Sequence, residues 1–436
     1  MNPLSIHHLY PQGNDVLFEQ VSLKKLLDKV PTPFYLYSQN ILEEHLKAYK
    51  EHFVSSRFDT QIFYASKAFN IKAMLELVNE LGLGVDVVSA GELYTALQCG
   101  FERKNILLHG NNKSQLELDM ALSEGIGVLV ADNAQELERL VAACKNNPPK
   151  EPVQVLLRIN PGIEAHTHHY IVTGHIDSKF GFSMLDEPSI LQAIEKIQSC
   201  KDLVFAGLHC HIGSQILDLT AFEKEVEKLG DFVRQLQQKD ITIDTLDLGG
   251  GFAVWYDDET PPAISEVCSR LLSACDQYLS DTCVKNIWIE PGRSVVANAG
   301  ITLYTIGDTK KTPNKTYYFV DGGMNDNIRP ALYEAKYRAD ILESLDGPKD
   351  TEVTVAGKCC ESGDILIEKE PLPAAKAGDH LITYSTGAYG YSMASNYNKL
   401  PVPGVYFVKD NTLREVVRPQ SLQDLIAREN ERVIDL

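Results

Sequence analysis

QIFYASKAFNIKAMLELVNELGLGVDVVSA, residues 61–90, begins and ends in short apolar runs and carries a helical repeat between them. QIFYAS (61–66) and GVDVVS (84–89) are short and rich in β-branched or aromatic residues, so they read as strands. Ile71, Met74, Leu75 and Val78 recur at i, i+3, i+4 and i+7, which predicts a helix with one apolar face, and Asn70 stands where its N-cap would be. Strand, helix, strand in that order is one unit of a parallel sheet.

The same alternation continues outward. NILLHG (105–110), GVLVAD (127–132), VQVLLRI (153–159), VFAGLHCHIG (204–213), TLDLGGG (245–251) and IWIEPG (287–292) bring the runs to eight. Eight βα units predict an α/β fold of the (β/α)8 TIM-barrel type over residues 35–293. One intervening helix is marked at both ends: Ser114 and Glu117 form a capping box, Leu118, Ala121 and Leu122 make a buried stripe, and Gly125 terminates it. Beyond residue 294 the texture changes to ITLYTIGD (301–308), KTYYFVDGG (315–323), TEVTVAG (351–357), HLITYST (380–386) and GVYFVKD (404–410), divided by turn residues. These runs predict a C-terminal all-β domain over 294–436, to which residues 1–34 contribute.

The chain has 436 residues, 44% of them hydrophobic, enough for a large domain and a smaller one. Its 41 Lys plus Arg against 60 Asp plus Glu give a net charge of −19, which makes nucleic acid and anionic membrane poor partners. No run approaches 18 consecutive apolar residues and the start lacks the layout of a signal peptide, so a cytoplasmic location is expected. Nine cysteines fit neither a disulfide framework nor paired CxxC zinc sites, and reduced thiols are expected. The long connection NPGIEAHTHHYIVTGHIDSKFGFS (160–183) carries His166, His168, His169 and His175. They lack tetrahedral ligand spacing, so the segment reads as a substrate-covering loop and no metal is expected.

Catalytic groups of such barrels sit at the carboxyl ends of strands. Those ends hold Ser66-Lys67, His209-Cys210-His211-Ile212-Gly213-Ser214, Gly249-Gly250-Gly251 and Glu290-Pro291-Gly292-Arg293. A lone strand-end lysine is most often a solvated group, and a glycine triplet is most often an ordinary loop. Together they ask for a phosphate-bearing cofactor that also needs an amine. Pyridoxal 5'-phosphate (PLP) fits, because its aldehyde forms a Schiff base with lysine and its ring nitrogen needs an acidic partner, for which Glu290 is the strand-end candidate.

FYASKAF (63–69), HCHIGSQ (209–215), LDLGGGF (246–252) and EPGR (290–293) resemble the fold-type III PLP enzymes, a PLP barrel followed by a β domain. MNDNIRPALYEAKY (324–337), CCESGD (359–364) and TGAYGYSMASNYN (386–398) are similar to the diaminopimelate decarboxylases. The resemblance implies that Lys67 is the Schiff-base lysine, His211 stacks on the cofactor ring and Glu290 pairs with its nitrogen. It places Ser214, Gly249, Gly250 and Gly251 at the phosphate, with Gly292, Arg293 and Tyr389 also at the cofactor. Arg293, Arg329, Tyr333, Glu361 and Tyr389 would contact substrate, and Cys360 would reprotonate the carbon that loses CO2. Cys360 and Glu361 would reach into the partner's site in a homodimer.

The implied reaction converts meso-2,6-diaminopimelate to L-lysine and CO2, the final step of lysine biosynthesis. Planar guanidinium groups at Arg293 and Arg329 suit the distal carboxylate of that substrate. The rival readings are a related decarboxylase of ornithine, D-lysine or another diamino acid, and a non-catalytic PLP-binding regulator. Retention of Lys67, Glu290 and Cys360 together argues against the regulator.

Overall fold

A computed structural model describes residues 2–13, 15–163, 178–432 and 434. The chain divides into two compact units: Glu43–Val254 with Thr260–Val295, and Met1–Leu42 with Trp255–Glu259 and Val296–Leu436.

The first unit is a closed parallel barrel. Its strands are β1 (Asp59–Ala65), β2 (Gly84–Val87), β3 (Ile106–Leu108), β4 (Val128–Ala131), β5 (Val153–Asn160), β6 (Leu203–His209), β7 (Thr245–Asp247) and β8 (Asn286–Ile289). Each pairs in parallel with the next, and β8 closes on β1 through Asn286↔Asp59 to Ile289↔Ile62. All eight sequence runs are therefore barrel strands. Phe63, Leu107, Val130, Leu156 and Trp288 belong to one buried cluster contributed by five different strands, the packed interior that such a closed sheet requires.

A helix follows each of β1 to β7. Gln115–Glu124 carries the expected capping box, with Ser114 and Glu117 bonded reciprocally, and ends at Gly125 with φ of 66°. Burying Leu118 and Leu122 on its inner face stabilises by about 2 kcal/mol each. The helix after β1 departs from expectation at its start. It spans Lys72–Glu80 with Ile71 as the N-cap residue and no side-chain cap, while Asn70 Nδ2 is buried without a hydrogen-bond partner. One more residue of extended chain is used before the apolar face docks, so packing outranks the capping preference.

The second unit is built on one large sheet. Its central path runs Ile365–Leu372, Thr351–Ala356, Thr316–Val320, Gly300–Lys311, Phe34–Ser38, Gly404–Lys409, Thr412–Val417. Phe34–Ser38 lies antiparallel to Gly300–Lys311 and parallel to Gly404–Lys409. The barrel unit accordingly begins at Glu43 and not at 35. FYLYS is buried on both faces, and by periodicity alone such a run cannot be told from a barrel strand. Leu9, Val16, Phe18, Leu23 and Leu26 of the N-terminal segment share a core with Ile301, Leu303 and Ile382.

All nine cysteines are free. Among the described residues no helix is long and apolar enough to cross a membrane. The histidines at 166, 168, 169 and 175 lie outside the described residues.

Candidate active site

At the carboxyl end of the barrel, polar side chains stand where the apolar strand runs stop. Lys67 is exposed in a single 3-10 turn, Ser66–Ala68, directly after β1. Asp86 interrupts β2, His109 follows β3, His209 ends β6, Asp247 ends β7 and Glu290 follows β8, all buried. His109 Nε2 lies 2.5 Å from Glu290 Oε1 and His209 Nε2 lies 3.4 Å from Glu290 Oε2. The two imidazoles meet edge to face with centroids 4.6 Å apart.

The electrostatics follow from burial. Burial alone would raise the Glu290 carboxyl, but the facing His109 and His209 hold it well below the usual carboxylate range. Burial, reinforced by the Glu290 charge, pushes Asp86 and Asp247 well above theirs. Burial also lowers His109 and takes His209 down to about 3, so both imidazoles are neutral near pH 7 and serve Glu290 as N–H donors. A metal ion is a poor occupant of this triad. Two ligands on one tetrahedral zinc stand roughly 3.3 Å apart for bonds near 2.05 Å, whereas His109 Nε2 and Glu290 Oε1 are at hydrogen-bond distance.

The glycine triplet is shaped by close backbone approach. A Cβ on Gly250 would stand 2.2 Å from the Glu290 carbonyl oxygen, and one on Gly251, whose φ is +104°, would stand 2.3 Å from that of Gly213. Two of the three loop N–H groups are directed inward: Gly249 donates to Asp247 Oδ1 at 2.9 Å and Gly250 to His211 Nδ1 at 3.3 Å. The second bond makes Nδ1 an acceptor and so places the His211 proton on Nε2. Burial, with the Lys67 charge, lowers His211 well below the imidazole range. On the facing loop Ser214 Oγ accepts from Arg293 Nε at 3.2 Å and Nη2 at 2.8 Å. A Cβ on Gly292 would stand 2.9 Å from that of Ala65.

The β unit holds the remaining predicted residues. Arg329 opens the short helix Arg329–Tyr333 and is 6% exposed. Its Nη1 donates to Tyr256 Oη at 3.1 Å and Tyr337 Oη at 2.5 Å, and its guanidinium stands 5.8 Å from the Tyr389 ring centre. Among the described residues no carboxylate is within ion-pair distance of it. Tyr333 is half-buried at the end of the same helix. In the CCESGD turn the buried Asp364 accepts from the backbone N–H of Met324 and Cys359 at 2.6 and 2.7 Å. That turn separates the two adjacent cysteines. Cys359 is buried, its thiol pushed up to about 11 by burial and by Asp364, while Cys360 and Glu361 are exposed.

Asp86, His109, Tyr256 and Tyr337 were not singled out from the sequence, and His209 was named at its strand end without a role. The signal was present: Asp86 breaks the apolar alternation of GVDVVS, and His109 and His209 sit at strand ends.

A parallel barrel with a strand-end lysine, a glycine cradle and an ionised glutamate defines a class, and the sequence pattern described as "Pyridoxal-dependent decarboxylase, pyridoxal binding domain" matches residues 39–297. Diaminopimelate decarboxylase of Bacillus subtilis (strain 168) is 45% identical over 426 residues, covering 96% of this chain and 94% of that one. The enzyme of the same name from Staphylococcus aureus (strain COL) is 43% identical, covering 97% and 99%. The crystal structure of diaminopimelate decarboxylase from M. jannaschii in co-complex with L-lysine superposes with a TM-score of 0.90 at 31% identity, covering 97% and 98%. The chain belongs to the diaminopimelate decarboxylase family.

The residues present fit the cofactor that this family's description names. The glycine triplet packs its backbone directly against the carbonyls of Cys210, Gly213 and Glu290, which holds the loop in a conformation that only glycine allows beside the strand ends, and an ionised carboxylate that accepts from two imidazoles suits a protonated ring nitrogen.

Proposed function

We propose that the chain decarboxylates meso-2,6-diaminopimelate to L-lysine and CO2, using pyridoxal 5'-phosphate. The observation that carries the substrate assignment is Arg329, a buried guanidinium held by neutral tyrosine hydroxyls with no carboxylate of the described chain to neutralise it. A buried cation of that kind calls for an anion. The distal carboxylate of diaminopimelate supplies one, whereas ornithine and D-lysine would bring only an ammonium.

Bound PLP supplies the electron sink into which the Cα–carboxylate bond breaks. In this proposal the Lys67 amine would hold the cofactor through its aldehyde, and the His211 imidazole would stack on its ring. Glu290 holds the proton on the ring nitrogen. Gly249, Gly250 and Gly251 give the phosphate loop its shape, with Ser214, Gly292, Arg293 and Tyr389 completing the cofactor contacts. Arg329 and Arg293 take carboxylate, Tyr333 and Tyr389 line the substrate, and Glu361 faces the distal ammonium. Cys360 Sγ–H returns a proton to Cα; its exposure, against the burial of Cys359, favours it for that role. Exposure of Cys360 and Glu361 also agrees with their serving the partner's site in a homodimer. Nine free thiols agree with a reducing, cytoplasmic location.

Purified protein with PLP, given meso-diaminopimelate, L-ornithine and D-lysine in parallel, tests the reading. Lysine and CO2 from diaminopimelate alone is the expected result; turnover of ornithine or D-lysine instead would replace the substrate, and a PLP complex inert toward all three would leave only the cofactor.

A further inference from the structure

The assignments above leave His109 and His209 without a role, although both are buried against Glu290. We propose that they are positioning residues for the decarboxylation proposed above, whose Nε2–H groups hold the Glu290 carboxylate ionised and aimed so that it keeps the cofactor's ring nitrogen protonated.

The geometry separates donors from cations. Each histidine takes a different oxygen of Glu290, His109 on Oε1 and His209 on Oε2, so the carboxylate is fixed at both ends. His209 Nδ1 is buried and without a hydrogen-bond partner, so a proton there would be left unsatisfied and the ring carries its proton on Nε2 instead. The imidazole is therefore a neutral donor. Asp86, Asp247 and His211 also lie within electrostatic reach of Glu290, and so does the buried Arg158, whose positive charge favours the carboxylate. Burial raises Asp86 and Asp247 while the two histidines lower Glu290, so Glu290 is the carboxyl of the three that most readily carries the negative charge. A lysine or arginine in place of either histidine would cancel that charge and with it the attraction for a ring N–H. An apolar side chain would remove one of the two donors and leave burial and two neighbouring carboxyls opposed only by the other histidine and Arg158, so that Glu290 takes up a proton more readily.

Phenylalanine preserves the edge-to-face packing and removes the donor, whereas glutamine can present a donor near the position of Nε2. The test therefore compares His109→Phe and His209→Phe with His109→Gln and His209→Gln, each reconstituted with PLP labelled with 15N in its ring. The 15N shift reports the ring proton without substrate. The expected result is a protonated ring nitrogen in the wild type and both Gln variants, and loss of that proton in the Phe variants. In turnover kcat should fall about 10- to 100-fold in the Phe variants, the range of a lost charge-assisted hydrogen bond, with KM little changed and the acid limb of the kcat profile moved to higher pH. A ring nitrogen that stays protonated in both Phe variants overturns the proposal. So does a Gln variant as impaired as its Phe counterpart. Should a Phe variant fail to fold, the Gln pair decides: retention of the ring proton in both supports the role and its loss in either overturns it. A wild type inert toward diaminopimelate, whose ring nitrogen still loses its proton on His109→Phe, would sink the substrate assignment and support the positioning role.

Discussion

Glu290 and Glu136 are both buried in the barrel unit, and their surroundings solve the cost of burial in opposite ways. Glu136 is closed. Its Oε1 receives Lys113 Nζ at 2.9 Å, and the same ammonium donates to the carbonyls of Gly110 and Val130 at 2.8 and 2.6 Å. Glu290 is open: its carboxylate accepts from two neutral imidazoles, and no Lys or Arg among the described residues forms an ion pair with it. A charge answered by a direct ion pair stabilises structure; one with no cation in direct contact is ready for a ligand. Arg329 repeats the second arrangement in the β unit with the sign reversed, a cation held by tyrosines.

Removing an open charge should cost activity and spare the fold. Glu290→Gln is expected to lower kcat roughly 10²- to 10⁴-fold, the range for losing control of one catalytic proton, while the urea midpoint stays equal or rises. Arg329→Gln should lower kcat/KM for diaminopimelate by roughly 30- to 3000-fold, as for truncating one partner of a buried charge pair, again without loss of stability. A large fall in stability for either would erase the contrast.

Removing a closed charge should do the reverse. Lys113→Met strands the Glu136 carboxylate and is expected to cost about 3–5 kcal/mol in urea unfolding. Lys113→Met with Glu136→Leu should recover most of that loss.

A third buried glutamate sharpens the scale. Glu225, in the helix Thr220–Gln237 beside the Cys210 thiol, is pushed by burial from 4.5 up to about 8. Its native form is the neutral acid, so its contribution to stability is complete below pH 4.5 and is lost as pH rises through about 8. Glu225→Gln should match the wild type at pH 4 and exceed it at pH 9 by a few kcal/mol, on the order expected for a shift of this size. Equal stability at both values would mean that the carboxyl is already paired in a way that burial does not govern. The smallest effect belongs to the helix Gln115–Glu124, where Ser114→Ala should cost about 1 kcal/mol through loss of the capping box.

The barrel was legible in the sequence because each strand is a short apolar run that meets its neighbour in chain order, and the repeat announces itself eight times. FYLYS was not, because its partners lie far along the chain and a fully buried run carries no mark of which sheet will take it. The same distinction divides the site. Lys67 and the glycine triplet carry local signals, and the motifs around them are continuous. His109, His209 and Glu290 become a group only when β3, β6 and β8 are brought to one end of a closed sheet, and a single histidine at each strand end gives no local reason to pair it with the others. Tyr256 was illegible for a similar reason, since Trp255–Glu259 leaves the barrel sequence to join the β unit for five residues.

The position of Phe34–Ser38 between Gly300–Lys311 and Gly404–Lys409 also sets a timetable for synthesis. Once this strand has been synthesised, the first of its two neighbours is made only after about 260 further residues. At roughly 5–20 residues per second, that is a wait of roughly 10–50 s with both edges of an apolar strand unpaired. The barrel between them is complete in the meantime, so the nascent chain passes through a stage in which a finished barrel trails an adhesive N-terminal tail.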